Sequence, residues 1–368
     1  MTNGTPLKKK RGIKRIFGMA VLFLLLAVAG VLLFATATEY RPAEREAVAV
    51  EKNGEEMPDR AALQSGDTIR VLTWNTGYGA LGDNADFFMD GGKMVYTADK
   101  TRAERNLADI AAGIREQEAD IVLLQEVDRD SARSFHMDEA DMLRTSLQEL
   151  PYSTFAWNFR TPFVPYPIPP IGKVSSGLLT LSAFPVTEAE RIQLPCPFSW
   201  PVRTVNLKRC LSVHRLPVEG SGHELVIINL HLEAYDDGEG KAAQTDMLRD
   251  LLQKEQDAGN YVIAGGDFNQ VFSNTDMSAW PVYEGKWQAG EIDAAAFPKG
   301  WQLMMDSTHP TCRSLDQPLA GADPDHFQYY VIDGFIFSAN IEVRTMQTLD
   351  KGFASTDHNP VLAEAVLK

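Results

Sequence analysis

A strand–helix–strand pattern occurs twice in this chain and restricts its fold more than any other feature of the sequence. In the first half, "TIRVLTWN" (Thr68–Asn75) and "DIVLLQEVD" (Asp120–Asp128) flank a helix that we expect Thr101 to open. In the second half, "ELVIINLHLEA" (Glu224–Ala234) and "YVIAGGDFN" (Tyr261–Asn269) flank another helix. The apolar runs have the length of buried strands, and each helix places apolar residues on one face at a 3.6-residue period. The pattern predicts an α/β fold.

Polar side chains stand at the end of each of these four strands. A turn explains a single end of this kind, because Asp, Asn and Gly are ordinary turn residues. Four such ends favour a ligand site, since open α/β sheets bind ligands at the carboxyl ends of their strands. Two further segments add ionisable groups: "YYVIDGFIFS" carries Asp333, and "STDHNPVLAEAVL" carries the adjacent Asp357 and His358.

The residue types at these strand ends suit one kind of chemistry. They are carboxylates, amides and imidazoles, namely Asn75, Glu126, His231, Asp267, Asn269, Asp357 and His358. Carboxylate and amide oxygens favour a hard cation, Mg²⁺ or Mn²⁺, over zinc. A histidine that an acid orients makes a general base. The set therefore fits metal-assisted attack of water on a phosphoester.

An uncharged run of 23 residues, Ile16 to Thr38, follows a basic segment at residues 1–15. As a helix, the run spans about 34 Å, enough to cross the hydrocarbon core of a bilayer. The basic flank is expected to stay cytoplasmic, so that a single-pass anchor places the rest of the chain outside the cytoplasm. Ala35-Thr36-Ala37 also fits a signal-peptidase site, and its cleavage would give a secreted protein. The length of the run favours the anchor, because the apolar region of a signal peptide is usually shorter.

The remaining chain divides into a charged segment at 39–66, predicted to be a linker, and one catalytic domain at 67–368. Beyond residue 38 there are 29 basic and 50 acidic residues, a net charge of −21. A surface of that charge disfavours tight nonspecific binding of nucleic acid. Residues 151–220 differ, with a local net charge of +4. That segment fits either a patch for an anionic substrate or a solvated face.

The chain has three cysteines, Cys196, Cys210 and Cys312, and none has the spacing of a zinc site. Outside the cytoplasm one disulfide is chemically allowed. We predict a Cys196–Cys210 bridge, because a short loop joins these two residues.

"GYGALG" (Gly77–Gly82) matches the glycine pattern of a dinucleotide-binding turn. Such a turn requires a helix to open on the third glycine, whereas "DNADFFMDGGK" follows without a helical period. We therefore predict no nucleotide cofactor and interpret these glycines as a loop beside Asn75.

Six motifs occur in the order found in the endonuclease/exonuclease/phosphatase superfamily, which the chain resembles over about residues 67–367. They are "WNTG", "LLQEVD", "NLHLEA", "GGDFN", "IDGFIFS" and "TDHNPV". The resemblance implies a four-layer α/β sandwich, in which two stacked mixed β-sheets are flanked by helices, after the N-terminal transmembrane helix. It also implies that Glu126 is the principal metal ligand, with Asn75 beside it and Asp357 nearby.

The same resemblance implies catalytic roles for five residues. Asp267 and Asn269 would orient the attacking water and the phosphate, or hold a second metal ion. His358 would be the base or a phosphate contact, oriented by Asp333. His231 would donate to a phosphate oxygen or to the leaving group. The remaining histidines match no motif and are expected to be surface or structural residues: His136, His214, His223, His309 and His326.

The substrate class stays open between two branches. Thr356 replaces the more common serine, and Gln270 and "VIDGF" stand where inositol phosphatases have their own signatures. The secreted-nuclease and sphingomyelinase branches remain, so the resemblance implies a membrane-anchored or secreted protein of bacterial type whose phosphodiester substrate is a nucleic acid or a lipid headgroup. We expect a monomer. The alternative is a noncatalytic, membrane-anchored binding module that retains the fold.

Overall fold

The computed structural model describes residues 7–53, 60–236, 238–323 and 327–368, with side chains from residue 14 onward. His326 and residues 54–59 of the predicted linker lie outside these ranges. Within them, elements are numbered in chain order. The α-helices are α1 (Leu7–Ala37), α2 (Lys100–Arg115), α3 (Glu139–Ser146) and α4 (Glu239–Asp257).

Seven strands form the first sheet, which mixes parallel and antiparallel pairs. In spatial order they are β18 (Ile341–Thr348), β19 (Val361–Leu367), β4 (Thr68–Asn75), β5 (Ile121–Asp128), β7 (Gly172–Ser182), β6 (Tyr152–Val164) and β2 (Val50–Lys52).

Eight strands form the second sheet, which is also mixed. Seven of them follow in spatial order: β1 (Arg45–Ala47), β8 (Glu188–Gln193), β9 (Cys210–Glu219), β10 (His223–His231), β11 (Tyr261–Asp267), β17 (Asp333–Phe337) and β14 (Gln302–Met304). The eighth, β3 (Leu63–Gln64), pairs with β9. Two short pairs lie apart: β12 (Gln270–Phe272) with β13 (Gly290–Ile292), and β15 (Cys312–Arg313) with β16 (Tyr329–Tyr330).

The first sheet is buried on both faces. Successive side chains of a strand point to opposite faces. In β4, Ile69 and Val71 belong to the core between the two sheets, whereas Leu72 and Trp74 pack in the core that α2 covers. The two-sided burial explains why "TIRVLTWN" is almost continuously apolar.

The second sheet is covered in the same way by α4. Leu225 and Ile227 of β10 face the core between the sheets, and Val226 and Ile228 pack with Leu248 of α4. Each fully buried side chain of this size stabilises the fold by about 1.5–3 kcal/mol. The layers are therefore helices, sheet, sheet and helix, which confirms the predicted four-layer α/β sandwich.

Both strand–helix–strand units are parallel crossovers. α2 connects β4 to β5, and α4 connects β10 to β11. α2 begins at Lys100, not at Thr101, and the Asp99 side chain caps it by accepting from Arg102 N at 2.8 Å. Parallel pairing places Asn75 opposite Gln125 and His231 opposite Asp267, so the polar strand ends share one edge of each sheet.

The segment at 39–66 is not a plain linker where the structure describes it. β1 pairs with β8 at the edge of the second sheet, and β2 pairs with β6 at the edge of the first. β3 adds Leu63, which is fully buried in the core between the sheets. Strands of two or three residues are too short to show an alternating pattern, so they could not be predicted from the sequence.

The predicted Cys196–Cys210 disulfide is wrong, because all three cysteines are free thiols. Cys210 begins β9 and turns its sulfur toward Asn158 Oδ1, 3.2 Å away. Cys196 lies in the preceding loop with its sulfur toward the carbonyl oxygen of Leu207. The strand thus directs one thiol between the sheets, away from the thiol in the loop.

Candidate active site

The ends of four strands bring four predicted residues into contact. Asn75, at the end of β4, donates through Nδ2 to Asp267 Oδ2 at 3.0 Å and to Glu126 Oε1 at 3.2 Å. Its own Oδ1 accepts from Gly77 N at 3.0 Å. His231 Nε2 lies 3.4 Å from Asp267 Oδ2 and 4.0 Å from Glu126 Oε1. Asn75 therefore orients two carboxylates with its amide nitrogen, while its amide oxygen holds the "GYGALG" loop beside it.

Two residues complete the cluster: Asp333, at the start of β17 in the second sheet, and His358, in the segment before β19. Antiparallel pairing of β11 with β17 places Asp333 opposite Asp267. His358 Nδ1 lies 2.9 Å from Asp333 Oδ2, and its Nε2 lies 3.8 Å from Asp267 Oδ2. The indole of Trp74 donates to the carbonyl oxygen of His358 at 2.9 Å. The imidazole is thus fixed between two carboxylates.

Asn269 and Asp357 stand on either side of this cluster. Asn269 N donates to Asp267 Oδ1, and its Nδ2 donates to the carbonyl oxygen of Leu232, both at 2.9 Å. Asp357 Oδ1 accepts from Thr356 Oγ1 at 3.2 Å. All eight predicted site residues therefore lie at this one edge of the stacked sheets.

Two residues of the site, Glu126 and Asn269, have an unusual backbone conformation. Glu126 has φ +56° at an irregularity in the β5–β7 pairing, and Asn269 has φ +49°. Positive φ is uncommon for residues other than glycine, and such strain concentrates at functional sites. The distortion turns Glu126 out of the strand alternation and toward Asn75.

The two glycines of "GGDFN" are explained by close packing. A Cβ at Gly265 would lie 2.4 Å from the Phe335 ring, and a Cβ at Gly266 would lie 1.9 Å from the carbonyl oxygen of Leu230. Gly266 also has φ +151°, which L-residues rarely adopt. The glycines therefore let β11 end close to its neighbours, with Asp267 directed into the site.

Burial and neighbouring acids perturb the carboxyl groups. Burial, reinforced by Asp333, raises the pKa of Asp267 to about 7, although His358 opposes the shift. Burial also raises the pKa of Glu126, with Asp357 adding to the rise and Arg133 opposing it. Several acids thus share a buried region with little cationic compensation, an arrangement that a bound cation relieves.

The two histidines are perturbed in opposite directions. Burial lowers the pKa of His231 well below its usual value, and the charge of Arg209 lowers it further. Burial would also lower the pKa of His358, but the Asp333 carboxylate beside it raises that pKa well above the usual value. The neutral form of His231 is therefore favoured, whereas Asp333 favours the protonated form of His358.

The cluster forms the floor of a cavity of about 640 Å³. Glu126, His231, Asp267, Asn269, Asp357 and His358 line its polar side. Aromatic and aliphatic side chains line most of the rest, including Tyr78, Phe88, Phe159, Tyr166, Phe198 and Val202. A cavity that is largely apolar, with a few convergent polar groups, is typical of a site for a small molecule or lipid.

Two arginines of the cavity were missed in the sequence. Arg133 lies 3.7 Å above the Tyr78 ring and pairs with both oxygens of Asp128, at 2.9 and 3.0 Å. Arg209 donates to Glu233 at 3.2 Å and to the carbonyl oxygen of His231 at 3.1 Å. The basic character of residues 151–220 gave a weak signal for Arg209. No pattern marked Arg133, which reaches the site only through the fold.

The donor set fits a divalent cation. Asp267, Asp333 and His358 each offer a donor atom within 4.8 Å of the other two, and so do Cys312, Asp357 and His358. Asp333 Oδ1 is buried and has no hydrogen-bond partner among the described residues. An unsatisfied buried carboxylate oxygen requires compensation, which a cation supplies. Asp267, Asp333 and His358 therefore form a candidate metal site. The sequence analysis assigned catalytic roles to these three residues.

The sequence matches one known protein family. The family described as "Endonuclease/Exonuclease/phosphatase family" matches residues 72–358, more than half of the sequence. The chain belongs to the endonuclease/exonuclease/phosphatase family. Members of this family are metal-dependent phosphoesterases, and the His and Asp cluster lies within the matched residues.

Two solved structures are similar to this endonuclease/exonuclease/phosphatase family member in fold. The endonuclease/exonuclease/phosphatase of Beutenbergia cavernae has a TM-score of 0.52 at 18% identity, over 82% of this chain and 72% of its own. A family protein of Bacteroides thetaiotaomicron has a TM-score of 0.52 at 16% identity, over 82% of this chain and 99% of its own. Comparison with curated proteins gives no match.

Proposed function

We propose that this chain is an Mg²⁺- or Mn²⁺-dependent phosphodiester hydrolase, held at the membrane by α1 with its catalytic domain outside the cytoplasm. The observation that carries the proposal is the Asp333–His358–Asp267 cluster at the floor of the cavity. Its two carboxylates flank one imidazole, at 2.9 and 3.8 Å. Glu126 stands on the other side of Asn75, so that a cation and a phosphate have room between opposed charges.

The residues divide the reaction between them. A bound divalent cation would stabilise charge on the phosphate oxygens, held by Glu126 with Asp357 and the Asp267 group. Asp267, with its pKa raised to about 7, accepts the proton of the attacking water. The water oxygen forms a bond to phosphorus, the P–O bond to the leaving group breaks, and the released oxygen takes a proton from solvent.

The other polar groups bind and orient the phosphate. His358, whose Nδ1 is held by Asp333, directs Nε2 toward a phosphate oxygen. Neutral His231 can donate one hydrogen bond to a phosphate or leaving-group oxygen. Tyr78 lines the cavity, and its buried hydroxyl has no hydrogen-bond partner among the described residues.

The anchor is supported by the composition and exposure of α1. Within Lys14–Ala37, an 18-residue window has a mean hydropathy of 2.9, and none of that window is buried inside the protein. A helix of 24 residues spans about 36 Å, enough for a bilayer. A signal sequence can have the same apolar composition, so cleavage at Ala35-Thr36-Ala37 is the alternative. An intact N-terminus in the mature protein would exclude it.

The test is hydrolysis of bis(4-nitrophenyl) phosphate by the full chain in detergent. We expect EDTA to abolish hydrolysis and Mg²⁺ or Mn²⁺ to restore it. Asp267→Asn is expected to lose on the order of 10²-fold or more, because it removes the proton acceptor. Asp276→Asn, which changes an exposed acid in a loop outside the cavity, is the matched control and should keep full activity. Absence of hydrolysis with every divalent metal would contradict the proposal and favour a noncatalytic binding module.

A further inference from the structure

The outer end of α1 is attached to a loop of the catalytic domain. Trp200 Nε1 donates to Thr36 Oγ1 at 3.0 Å. Just beyond the helix, Glu39 pairs with Arg203 Nε and Lys208 Nζ, each at 3.3 Å. The side chains of Glu39 and Lys208 are only 3% and 9% exposed, so this ion pair is shielded from solvent, whereas Arg203 is 47% exposed. If α1 crosses a bilayer, the loop at 196–207 lies at the membrane surface.

The same loop forms one wall of the active-site cavity. Phe198, Val202, Val205 and Leu207 all line the cavity. Another part of the wall comes from the β6–β7 hairpin, where the ring of Tyr166 packs edge-on against Phe88 at 5.7 Å between centroids. The cavity therefore runs from the polar strand ends to apolar walls that lie beside the end of the membrane helix.

Large apolar side chains remain exposed around these walls. Ile168, at the tip of the β6–β7 hairpin, is 94% exposed, and Tyr166 beside it is 69% exposed. In the loop at 196–207, Trp200 is 54% exposed and Val202 is 53% exposed. A concentration of exposed apolar residues marks an interaction surface, and Trp and Tyr are enriched where membrane meets water. We call these four residues the apolar rim.

Basic side chains lie next to the end of α1 as well. Thr38 and Tyr40, which follow the helix, line a second cavity of about 410 Å³ together with Arg129, Arg160 and Lys173. Arg129 pairs with Asp138 and Lys173 pairs with Asp130, whereas the Arg160 guanidinium lies over the Trp157 ring. Acids thus offset two of these three cations, and the Arg160 guanidinium supplies the positive charge beside the anchor that favours the phosphate-rich surface of a bilayer.

We propose that the substrate is a lipid phosphoester taken from the bilayer that holds α1. The acyl chains lie along the apolar walls, and the headgroup phosphate lies at Asp267 and His358. Water then cleaves a P–O bond of the headgroup, as in the proposed function on which this inference rests. A long nucleic acid fits less well, because apolar side chains dominate the cavity walls and the exported part has a net charge of −21.

The experiment compares two substrates of the full chain in vesicles. The lipid probe is sphingomyelin, phosphatidylcholine and phosphatidylinositol 4-phosphate in mixed vesicles, and the soluble probe is bis(4-nitrophenyl) phosphate. Val202→Asp and, separately, Ile168→Asp place a carboxylate in the apolar wall or rim. Each is expected to lower the ratio of lipid to soluble-ester hydrolysis about ten-fold or more, because burying a charge against an acyl chain is unfavourable. Val282→Asp, at a valine that is 49% exposed and outside both cavities, is the matched control and should leave both rates unchanged.

The possible failures are distinguishable. If the soluble ester is not hydrolysed with any divalent metal, the proposed function fails. If the soluble ester is hydrolysed but none of the three lipids is, only the lipid inference is overturned, and cleavage of plasmid DNA by the same preparation would then establish a nuclease. Equal losses for both substrates in Val202→Asp and Ile168→Asp would also overturn it, because the apolar rim would then act on folding alone.

Discussion

Asp333 and His358 lie 2.9 Å apart, carboxylate oxygen to imidazole Nδ1, and both side chains are buried. Strand β17 supplies the acid, and the segment before β19 in the other sheet supplies the imidazole. The contact fixes the ring, so that its Nε2 faces Asp267 and the cavity, and the Asp333 carboxylate raises the pKa of the imidazole. The site is thus assembled across the interface between the two sheets.

Asp333→Asn tests whether this contact positions His358. Loss of the negative charge removes the group that holds the imidazolium, and hydrolysis is expected to fall on the order of 10- to 10²-fold, mainly in kcat. Mn²⁺ affinity, measured by titration calorimetry, should fall by a smaller factor than activity, because Glu126 and Asp357 remain to hold the cation. A loss of Mn²⁺ binding as large as the loss of activity would instead make Asp333 mainly a metal ligand.

Truncation tests the role of the segment between the anchor and the domain. A chain that begins at Glu39 keeps β1, β2 and β3, whereas one that begins at Asp67 loses all three and the buried Leu63. We expect the longer chain to fold and hydrolyse a soluble diester. The shorter chain should unfold at a lower temperature, with a loss of at least about 2 kcal/mol for Leu63 alone. Equal melting temperatures in calorimetry would show that these strands add nothing.

The free cysteines give a direct chemical prediction. Thiol titration of the unfolded, unreduced protein should find three thiols per chain, because Cys196, Cys210 and Cys312 are unpaired. Burial raises the pKa of Cys210 to about 11, so its thiol should also resist alkylation in the folded protein. A disulfide-linked peptide pair containing Cys196 and Cys210 in a nonreduced digest would contradict the structure.

His214 predicts how the stability depends on pH. It is buried beside Thr154 and Ser212, and burial lowers its pKa from 6.5 to about 4, although a hydrogen bond with the Ile227 carbonyl opposes the shift. Between pH 6.5 and about 4, the unfolded chain therefore binds a proton at His214 that the folded chain does not bind. The contribution of His214 to the free energy of unfolding is fully present above pH 6.5 and is lost as the pH falls toward 4. It amounts to about 3 kcal/mol in total.

Urea unfolding at several pH values measures this effect. His214→Asn should reduce the slope of the free energy of unfolding between pH 6.5 and 4, even if the variant is less stable throughout. His223→Asn, at an exposed histidine, is the control and should keep the wild-type slope. An unchanged slope in His214→Asn would assign the acid sensitivity to other groups.

The residues at the strand ends were predictable because they leave local signals, whereas the four-layer sandwich was implied by the resemblance to the family. "TIRVLTWN" and "YVIAGGDFN" show apolar runs that stop on polar groups, and parallel pairing brings such ends to one edge. The two glycines before Asp267 looked like a turn, and only the neighbouring Leu230 carbonyl and Phe335 ring show why they are required.

Features that depend on contacts between distant segments were not predictable. Arg133 stacks on Tyr78, 55 positions away, and no spacing rule connects them. The cavity wall at 196–207 meets the end of α1 through contacts such as that of Trp200 with Thr36, which are 164 positions apart in the chain. The cysteine prediction was wrong for the same reason, since loop length gave proximity along the chain but not the direction in which β9 turns the Cys210 sulfur.

The central claim is that Glu126, Asp267 and His358 act as one unit on a phosphoester. Its most direct test is the rate of bis(4-nitrophenyl) phosphate hydrolysis in Mg²⁺ by the three single alanine variants and the triple variant. We predict that each single variant loses on the order of 10²-fold or more and that the triple variant loses little beyond the worst of them, because removal of one member disables the others. A triple loss equal to the product of the single losses, or wild-type hydrolysis by Glu126→Ala in EDTA, would contradict the account.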